Sequence, residues 1–220
     1  MAGLTQMWTL RLLEDAIASG GAVTLPDDGA NRVAYVVHGS IAVDGTAYAD
    51  DSAWHGRGAA TLRAGREGAA LWRFELVRDG APVIAAEGGR TLEKLSAPLG
   101  GLLPEGPLLL RCDSVAFPPG GCAFLHTHQG PGIRCLIEGG IRIDTHGAST
   151  CYAPGGAWFE AGPEPVSAQA AADRPSRFIR AMVLPARLLG GSSIAYLREE
   201  DRAKPKSQRY RGYLDVPITL

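Results

Sequence analysis

The sequence predicts an all-β protein built from two copies of one domain, and three observations support this class. The chain of 220 residues contains 29 glycines, 15 prolines and 45% apolar residues, which is typical of a folded chain with short strands and tight turns. Apolar and polar residues alternate over short segments bounded by glycines, as in strands with one buried face. Finally, part of the first half recurs in the second half.

The recurrence is clearest between residues 35–44 and 135–144, which align without gaps at an offset of 100 residues. Matched positions at this offset include Gly21 and Gly121, Leu25 and Leu125, Gly39 and Gly139, Ile41 and Ile141, and Asp44 and Asp144. At an offset of 104, Ala53-Trp54 matches Ala157-Trp158 and Arg73-Phe74 matches Arg177-Phe178. One change of length in a loop accounts for the shift, so we interpret the pattern as an internal duplication.

The elements follow from local patterns. Met7–Ala18 has apolar residues at Leu10, Leu13 and Ile17, which predicts a short N-terminal helix. The segments that predict strands are 41–43, 71–77, 141–143 and 177–184.

Composition divides the chain into four parts. Residues 1–97 are predicted to form the first barrel, 98–107 a Gly- and Pro-rich linker, and 108–190 the second barrel. Residues 191–220 are predicted to be an extended C-terminal tail that packs on its own barrel or on a partner subunit.

Charge and hydropathy exclude several classes of function. The net charge of −1 argues against a basic nucleic-acid-binding protein. No run of 18 apolar residues is present, so no transmembrane helix is predicted. Arg11, Glu14 and Asp15 interrupt the N-terminal segment where a signal peptide needs an apolar run, which predicts a cytoplasmic location and no membrane partner.

His126 and His128 are the strongest candidates for a functional site. Residues i and i+2 of a strand point to one face about 7 Å apart, so two imidazoles placed this way can bind one cation. The alternative is two partly exposed polar residues at the end of a strand.

The surrounding residues resemble the motifs of the cupin superfamily. The first motif is matched by Pro119-Gly120, His126-Thr127-His128, Gly130-Pro131 and Leu136-Ile137-Glu138-Gly139, and the second by residues 155–165. Together with the repeat, the resemblance implies a bicupin, with two jelly-roll-type cupin β-barrels. It also implies a divalent transition metal (Fe, Mn, Ni or Zn) on His126 and His128.

The sequence departs from the cupin pattern at two ligand positions. The position of the usual metal-binding Glu is Gly132, and that of the usual final His is Val166. In the first copy, Pro26, Asp28 and Leu62 occupy the corresponding positions, which predicts a degenerate barrel without a metal site.

Other residues could complete the site or bind substrate. Glu160 and Gln169 are candidate additional ligands and Glu164 is a further nearby one, whereas Cys122 lies too far along its strand from His126. Arg134 is a candidate for binding a substrate carboxylate, the alternative being an ion pair with Glu138. Phe124 and Trp158 are candidate substrate contacts, with packing in the core as the alternative.

Two functions are consistent with these residues. One, which the cupin resemblance implies, is a metal-dependent dioxygenase or isomerase that acts on a small organic molecule such as a carboxylic acid. The other is a non-catalytic cupin that binds a small ligand without metal. A homodimer through exposed sheet edges is a further hypothesis.

Overall fold

A computed structural model describes residues 7–220. The fold is all-β and of jelly-roll type, and every strand pairing in it is antiparallel. The chain divides into two compact units, one ending at Gly100 and one spanning Gly101–Thr219. Within the described residues, no helix has the length and apolar character needed to cross a membrane.

The first unit is one six-stranded sheet that curls around its own core. Its strands are β1 (Trp8–Leu25), β2 (Asn31–Val43), β3 (Thr46–Ala49), β4 (Ser52–Arg57), β5 (Ala60–Arg78) and β6 (Glu87–Pro98). The order is β3-β2-β5-β1-β6, with β4 also paired to β2. Register shifts interrupt β1, β2 and β5, which bends these long strands around the core.

The second unit consists of two five-stranded sheets. Its strands are β7 (Leu108–Phe117), β8 (Cys122–His128), β9 (Gly132–Glu138), β10 (Ile141–Thr145), β11 (Ala148–Tyr152), β12 (Ala157–Glu160), β13 (Val166–Ala170), β14 (Ser176–Pro185), β15 (Ile194–Tyr196) and β16 (Arg209–Ile218). One sheet has the order β11-β10-β13-β8-β15 and the other β12-β9-β14-β7-β16. A short helix α1 (Glu199–Ala203) precedes β16. Short 3-10 helices span Gly100–Leu102 and Ala186–Leu188.

The N-terminal helix predicted over Met7–Ala18 is wrong, because residues 8–18 belong to strand β1. The apolar residues are spaced as in a helix because both faces of the strand are buried, so they do not fall only on alternate positions. Leu10 lies on one face and Leu13 on the other, and both are fully buried. The charged residues Arg11 and Asp15 are buried as well, since each forms an ion pair with a residue of β5.

Several matched residues of the repeat occupy equivalent strand-pairing positions in the two units. Trp54 lies opposite Ala34, and Trp158 lies opposite Arg134, so the offset of 104 applies to the tryptophans. It does not apply to the last long strand. Arg73 lies opposite Ala34 and Arg180 opposite Arg134, so the register makes Arg180, and not Arg177, the counterpart of Arg73.

Glycines at the bends recur as well. Gly39 and Gly139 both have a positive φ, at 83° and 80°. A Cβ on Gly139 would lie 2.1 Å from the Pro175 carbonyl oxygen, and one on Gly39 would lie 2.3 Å from that of Gly68. Both bends therefore require glycine for its conformation and for the close approach of the backbone.

The C-terminal residues belong to the second unit. Strand β15 pairs with β8, which places Ile194 opposite His128 and Tyr196 opposite His126. Strand β16 extends the other sheet by pairing with β7 along its length. Residues 191–219 thus complete one edge of each sheet.

Candidate metal and ligand site in the second unit

A β-bulge sets the direction of the two histidines on β8. His126 pairs with Val166, but Ala123 pairs with Ala168, so one extra residue is accommodated between the two pairings. The bulge turns Ala123, His126 and His128 toward the barrel interior, where the two imidazoles are 4% and 5% exposed.

The two imidazoles meet edge to face. Their Nε2 atoms lie 3.1 Å apart, and the ring planes are inclined at 88°. The Nδ1–H of His126 donates to the Phe124 carbonyl oxygen at 2.7 Å, which leaves a lone pair on its Nε2. The Nδ1 atom of His128 is buried and has no hydrogen-bond partner among the described residues.

Glu160 joins the histidines from strand β12. Its Oε2 lies 3.2 Å from His128 Nε2 and 2.8 Å from Arg134 Nη2. Its Oε1 accepts a hydrogen bond of 2.8 Å from Trp158 Nε1, on the same face of the strand. The carboxylate is therefore held between a histidine, a guanidinium and an indole.

Burial sets the charge states in this cluster. It lowers the pKa of His128 to about 3 and also lowers the pKa of His126, so both rings are neutral at pH 7. Burial alone would raise the pKa of Glu160, but the charge of Arg134 and the hydrogen bond from His128 outweigh this effect, and the pKa falls well below its usual range. Burial lowers the pKa of Arg134 to about 10, which leaves it a cation at pH 7.

Arg134 points into the barrel from β9 and does not form the expected ion pair with Glu138, which is exposed. Its Nη1 donates to the Gly132 carbonyl oxygen at 2.6 Å, and its Nη2 lies 2.8 Å from Glu160. Nearby, Arg180 makes a two-pronged ion pair with Asp113, at 2.6 and 3.0 Å. Two buried guanidinium groups thus flank the histidines.

The two substituted ligand positions carry no side-chain donor atom. A Cβ on Gly132 would lie 2.6 Å from both the Ala181 carbonyl oxygen and Met182 Cγ. Val166 is buried in the apolar core opposite His126. Neither side chain therefore supplies a donor atom to the histidine site.

Gln169 and Phe124 lie away from the histidine cluster. The amide of Gln169 donates to the carbonyl oxygens of Gly120 and Gly121, at 2.9 and 3.2 Å. The bulge turns Phe124 outward, where it contacts the ammonium groups of Lys204 and Lys206, each within 5.5 Å of the ring centre.

The remaining candidates are placed as follows. Trp158 packs in the core against Phe178 and Tyr152, while its indole N–H reaches Glu160. Glu164 is half exposed and lies beside His146.

The cavity beside the histidines has a volume of about 20 Å³, which is room for one water molecule.

Sequence reasoning did not single out Asp113, Arg180, Gln208 or Tyr210, which also surround the site. Asp113 and Arg180 lie on long apolar strands, where only the pairing register shows that they meet. Gln208 and Tyr210 come from the C-terminal segment, whose return to the barrel has no local sequence signal.

The donor set is chemically suited to a transition metal. Two nitrogen atoms bound to one metal at about 2.1 Å, near a right angle, stand about 3 Å apart, as the two Nε2 atoms do. Two neutral imidazoles and a carboxylate are a common ligand combination for such ions. Within residues 7–220, however, no three His, Cys, Asp or Glu side chains form a ready-made metal-binding group. The carboxylate of Glu160 is instead shared with Arg134.

Comparison with known proteins identifies the fold. No family model and no curated protein matches the sequence. Among solved structures, oxalate decarboxylase from Lactobacillus farciminis in a formate complex is 12% identical, with a TM-score of 0.63, covering 91% of this chain and 86% of that chain. A Bacillus subtilis oxalate decarboxylase studied for its Mn(II) centres is 12% identical, with a TM-score of 0.57, covering 88% and 72%. These likenesses support a cupin-type fold over most of the chain.

Proposed function

We propose that the second unit binds a divalent transition metal through His126 and His128, with Glu160 as the third ligand, and binds a small organic carboxylate beside it. The observation that carries this proposal is the convergence of two buried, neutral imidazoles with Nε2 atoms 3.1 Å apart. Cupin-type neighbours with Mn(II) centres and a formate complex support it.

Arg134 is the residue that would bind the carboxylate. Its guanidinium is fully buried and paired with Glu160, at 2.8 Å. If Glu160 turns toward the metal, Arg134 loses its partner and can bind a substrate carboxylate in its place. Apolar side chains of Val115, Phe117 and Phe178 line the cavity and limit the entry of water.

A bound metal would supply Lewis-acid chemistry, which polarises a coordinated oxygen. The residues of the chain would then set the position of the substrate. Arg134 would hold the carboxylate and Arg180 would add a second positive charge, while Asp113 keeps Arg180 in place through two hydrogen bonds. We place the reaction in the oxygenase, isomerase or decarboxylase classes, which act on such acids.

A metal-free ligand-binding barrel is the second candidate function. The ion pair between Arg134 and Glu160 favours it, since Glu160 is occupied and the described residues contain no ready group of three metal ligands. In this function a carboxylate ligand would displace Glu160 from Arg134 without any metal.

Elemental analysis of untagged protein distinguishes the two functions. We expect about one transition metal per chain in the wild type, lost in the His126→Ala/His128→Ala variant. A His38→Ala/His146→Ala variant is the matched control, because both side chains are largely exposed, at 77% and 65%. Protein that is metal-free and takes up no added Fe, Mn, Ni or Zn would rule out the metal proposal and leave the binding barrel.

If metal is present, activity is tested with oxalate and other small acids, by oxygen uptake and by carbon dioxide release. Arg134→Gln should reduce the reaction by at least about a hundredfold, since it removes the charge that binds the carboxylate. A variant that retains full activity would show that Arg134 is structural.

A further inference from the structure

A cleft on the second unit lies next to the histidine cavity. Its volume is about 510 Å³, within the usual range for small-molecule sites, whereas the cavity holds about 20 Å³. Arg180, Ile194 and Tyr210 line both spaces, so the cleft and the cavity share part of their walls. We name this space the outer cleft. Its walls come from strands β7 and β14 and from residues 190–215.

The outer cleft contains a buried polar atom without a partner. Ser193 is 3% exposed and lines the cleft, and its Oγ has no hydrogen-bond partner among the described residues. A buried hydroxyl without a partner costs about 1–3 kcal/mol, so a ligand that supplies a partner gains affinity. This observation points to a ligand with a hydrogen-bonding group at that end.

The charges of the outer cleft are already paired. Arg180 is bound by Asp113, and Arg111 is bound by Asp215 at 3.1 and 2.8 Å. The other N–H groups of Arg111 donate to the carbonyl oxygens of Gly191 and Leu188. No net charge is left to attract an ion. The Asp113 oxygens and Asp215 Oδ1 still have acceptor capacity for a hydroxyl donor, whereas Asp215 Oδ2 already accepts from Arg111 and from the Gly190 N–H.

Apolar and aromatic side chains form much of the remaining wall. The rings of Tyr210 and Tyr213 lie in the lining together with Ile194 and Leu214. Such walls suit the faces of a ring, while Ser193 and the carboxylates suit polar groups at its edge.

We propose that the outer cleft binds a small molecule, or one part of it, through an uncharged ring that carries hydroxyl groups. Because the cleft adjoins the histidine cavity, it forms the outer part of the substrate site. That second statement rests on the proposed function, whereas binding in the cleft does not. The ring can be aromatic or saturated, since both present a flat face and hydroxyl donors.

Gly212 is a suitable position for a substitution that tests binding in the cleft. It lines the cleft, its φ is not positive, and a Cβ placed on it would meet no atom within 4 Å. Gly212→Phe should therefore fill the cleft without disturbing the barrel. Arg209→Phe, an exposed position on the same strand that does not line the cleft, is the matched control.

Binding is measured on chelator-treated protein by ligand-observed NMR and calorimetry. The probes are 4-methylcatechol for an aromatic ring and methyl glucoside for a saturated ring. Toluene and cyclohexane are the control probes that lack hydroxyl groups. We expect saturable binding of at least one hydroxylated probe, about tenfold weaker in Gly212→Phe and at least about threefold weaker in Ser193→Ala. Arg209→Phe should bind like the wild type.

Several outcomes would overturn the proposal. These are no binding of either hydroxylated probe at about 10 mM, unchanged binding in Gly212→Phe, or equally tight binding of the probes without hydroxyls. The His126→Ala/His128→Ala variant separates this proposal from the metal proposal. Cleft binding that persists in this variant supports the outer cleft, whatever the metal content of the wild type.

Discussion

The interiors of the two units differ at the same positions of the repeat. In the first unit, Asp28 occupies the position of His128 and Arg32 that of Gly132. Arg32 donates to both oxygens of Asp28, at 2.9 and 2.6 Å, and also binds Glu75 at 3.1 Å. Arg73 pairs with Glu75 and with Asp15.

The first unit therefore closes this end with an ion network in which Asp28 is partly exposed and the other members are buried, namely Arg11, Asp15, Arg32, Arg73 and Glu75. In the second unit the same end holds two neutral histidines, a small cavity and the unpartnered Nδ1 of His128. The charges of the first network are paired with one another, whereas the second unit adds uncharged nitrogen donors beside a cavity. The comparison thus supports our proposal, in which the second interior binds a ligand and the first has a structural role.

The largest effect is expected for Glu75→Gln. Glu75 is fully buried and contacts three arginines, so its neutralisation leaves several buried positive charges with too little compensation. We expect a loss of about 3–5 kcal/mol in the free energy of unfolding of the first unit, measured by urea denaturation. The exposed Glu93→Gln should change it by less than about 0.5 kcal/mol. Similar values for the two variants would mean that the network does not stabilise this unit.

The histidines should make the second unit sensitive to acid. An unfolded histidine has a pKa near 6.5, and burial lowers that of His128 to about 3. Below pH 6.5 the unfolded chain therefore binds a proton that the folded chain does not, so stability falls as the pH falls. From pH 7 to pH 5 we expect a loss of about 2 kcal/mol from His128 alone in metal-free protein.

His128→Gln should remove that part of the pH dependence. The exposed His146→Gln variant should retain it. Glu160 does not obscure this range, because its lowered pKa affects stability only below its ordinary value near 4.5. An unchanged slope in His128→Gln, measured by urea denaturation at each pH, would contradict the buried neutral ring.

Arg134 and metal should compete for Glu160. Arg134→Met removes the guanidinium 2.8 Å from Oε2, and with it a positive charge beside the site. We expect Zn²⁺ to bind about tenfold tighter, and Glu160→Gln to weaken binding by about tenfold, in titrations against a chelating dye. Arg142→Met, half exposed and paired with Asp144, is the control. Equal affinity in Arg134→Met and the wild type would show that Glu160 is not a ligand.

The sequence predicts the all-β class because the signals for it are local. These are the glycines and prolines at turns and the alternation of apolar and polar residues between them. It does not predict β1, where burial on both faces produces apolar spacing that also fits a helix. Leu10 and Leu13 are both buried, although they lie on opposite faces of the strand. Whether the second face of a strand is buried depends on tertiary structure, which a local sequence pattern does not show.

The site was predictable only in part, for related reasons. His126 and His128 stand two residues apart on one strand, so their convergence can be read locally. The contact of Glu160 with Arg134 depends on the pairing of β12 with β9, and the outward direction of Phe124 on a single bulge. Register and bulges arise from the whole sheet and shift side chains from one face to the other.

The smallest difference is expected between the matched tryptophans, Trp158 and Trp54. Trp158 pairs with Arg134 on the neighbouring strand, and Trp54 pairs with Ala34 at the equivalent position. Only Trp158 has a carboxylate two residues later, because the counterpart of Glu160 in the first unit is Gly56. Replacing either by Phe removes similar apolar area, whereas Trp158→Phe also removes the 2.8 Å hydrogen bond to Glu160. We therefore expect Trp158→Phe to cost about 1–2 kcal/mol more than Trp54→Phe in urea denaturation.

Adding Glu160→Gln tests whether that difference comes from the charged hydrogen bond. In the Glu160→Gln background, the difference between the two Phe variants should fall to less than about 1 kcal/mol, because the acceptor is then neutral. If the difference persists unchanged, the indole stabilises the second unit by packing against Tyr152 and Phe178 alone. The interiors of the two units would then differ in their histidines and arginines, but not in how their tryptophans stabilise them.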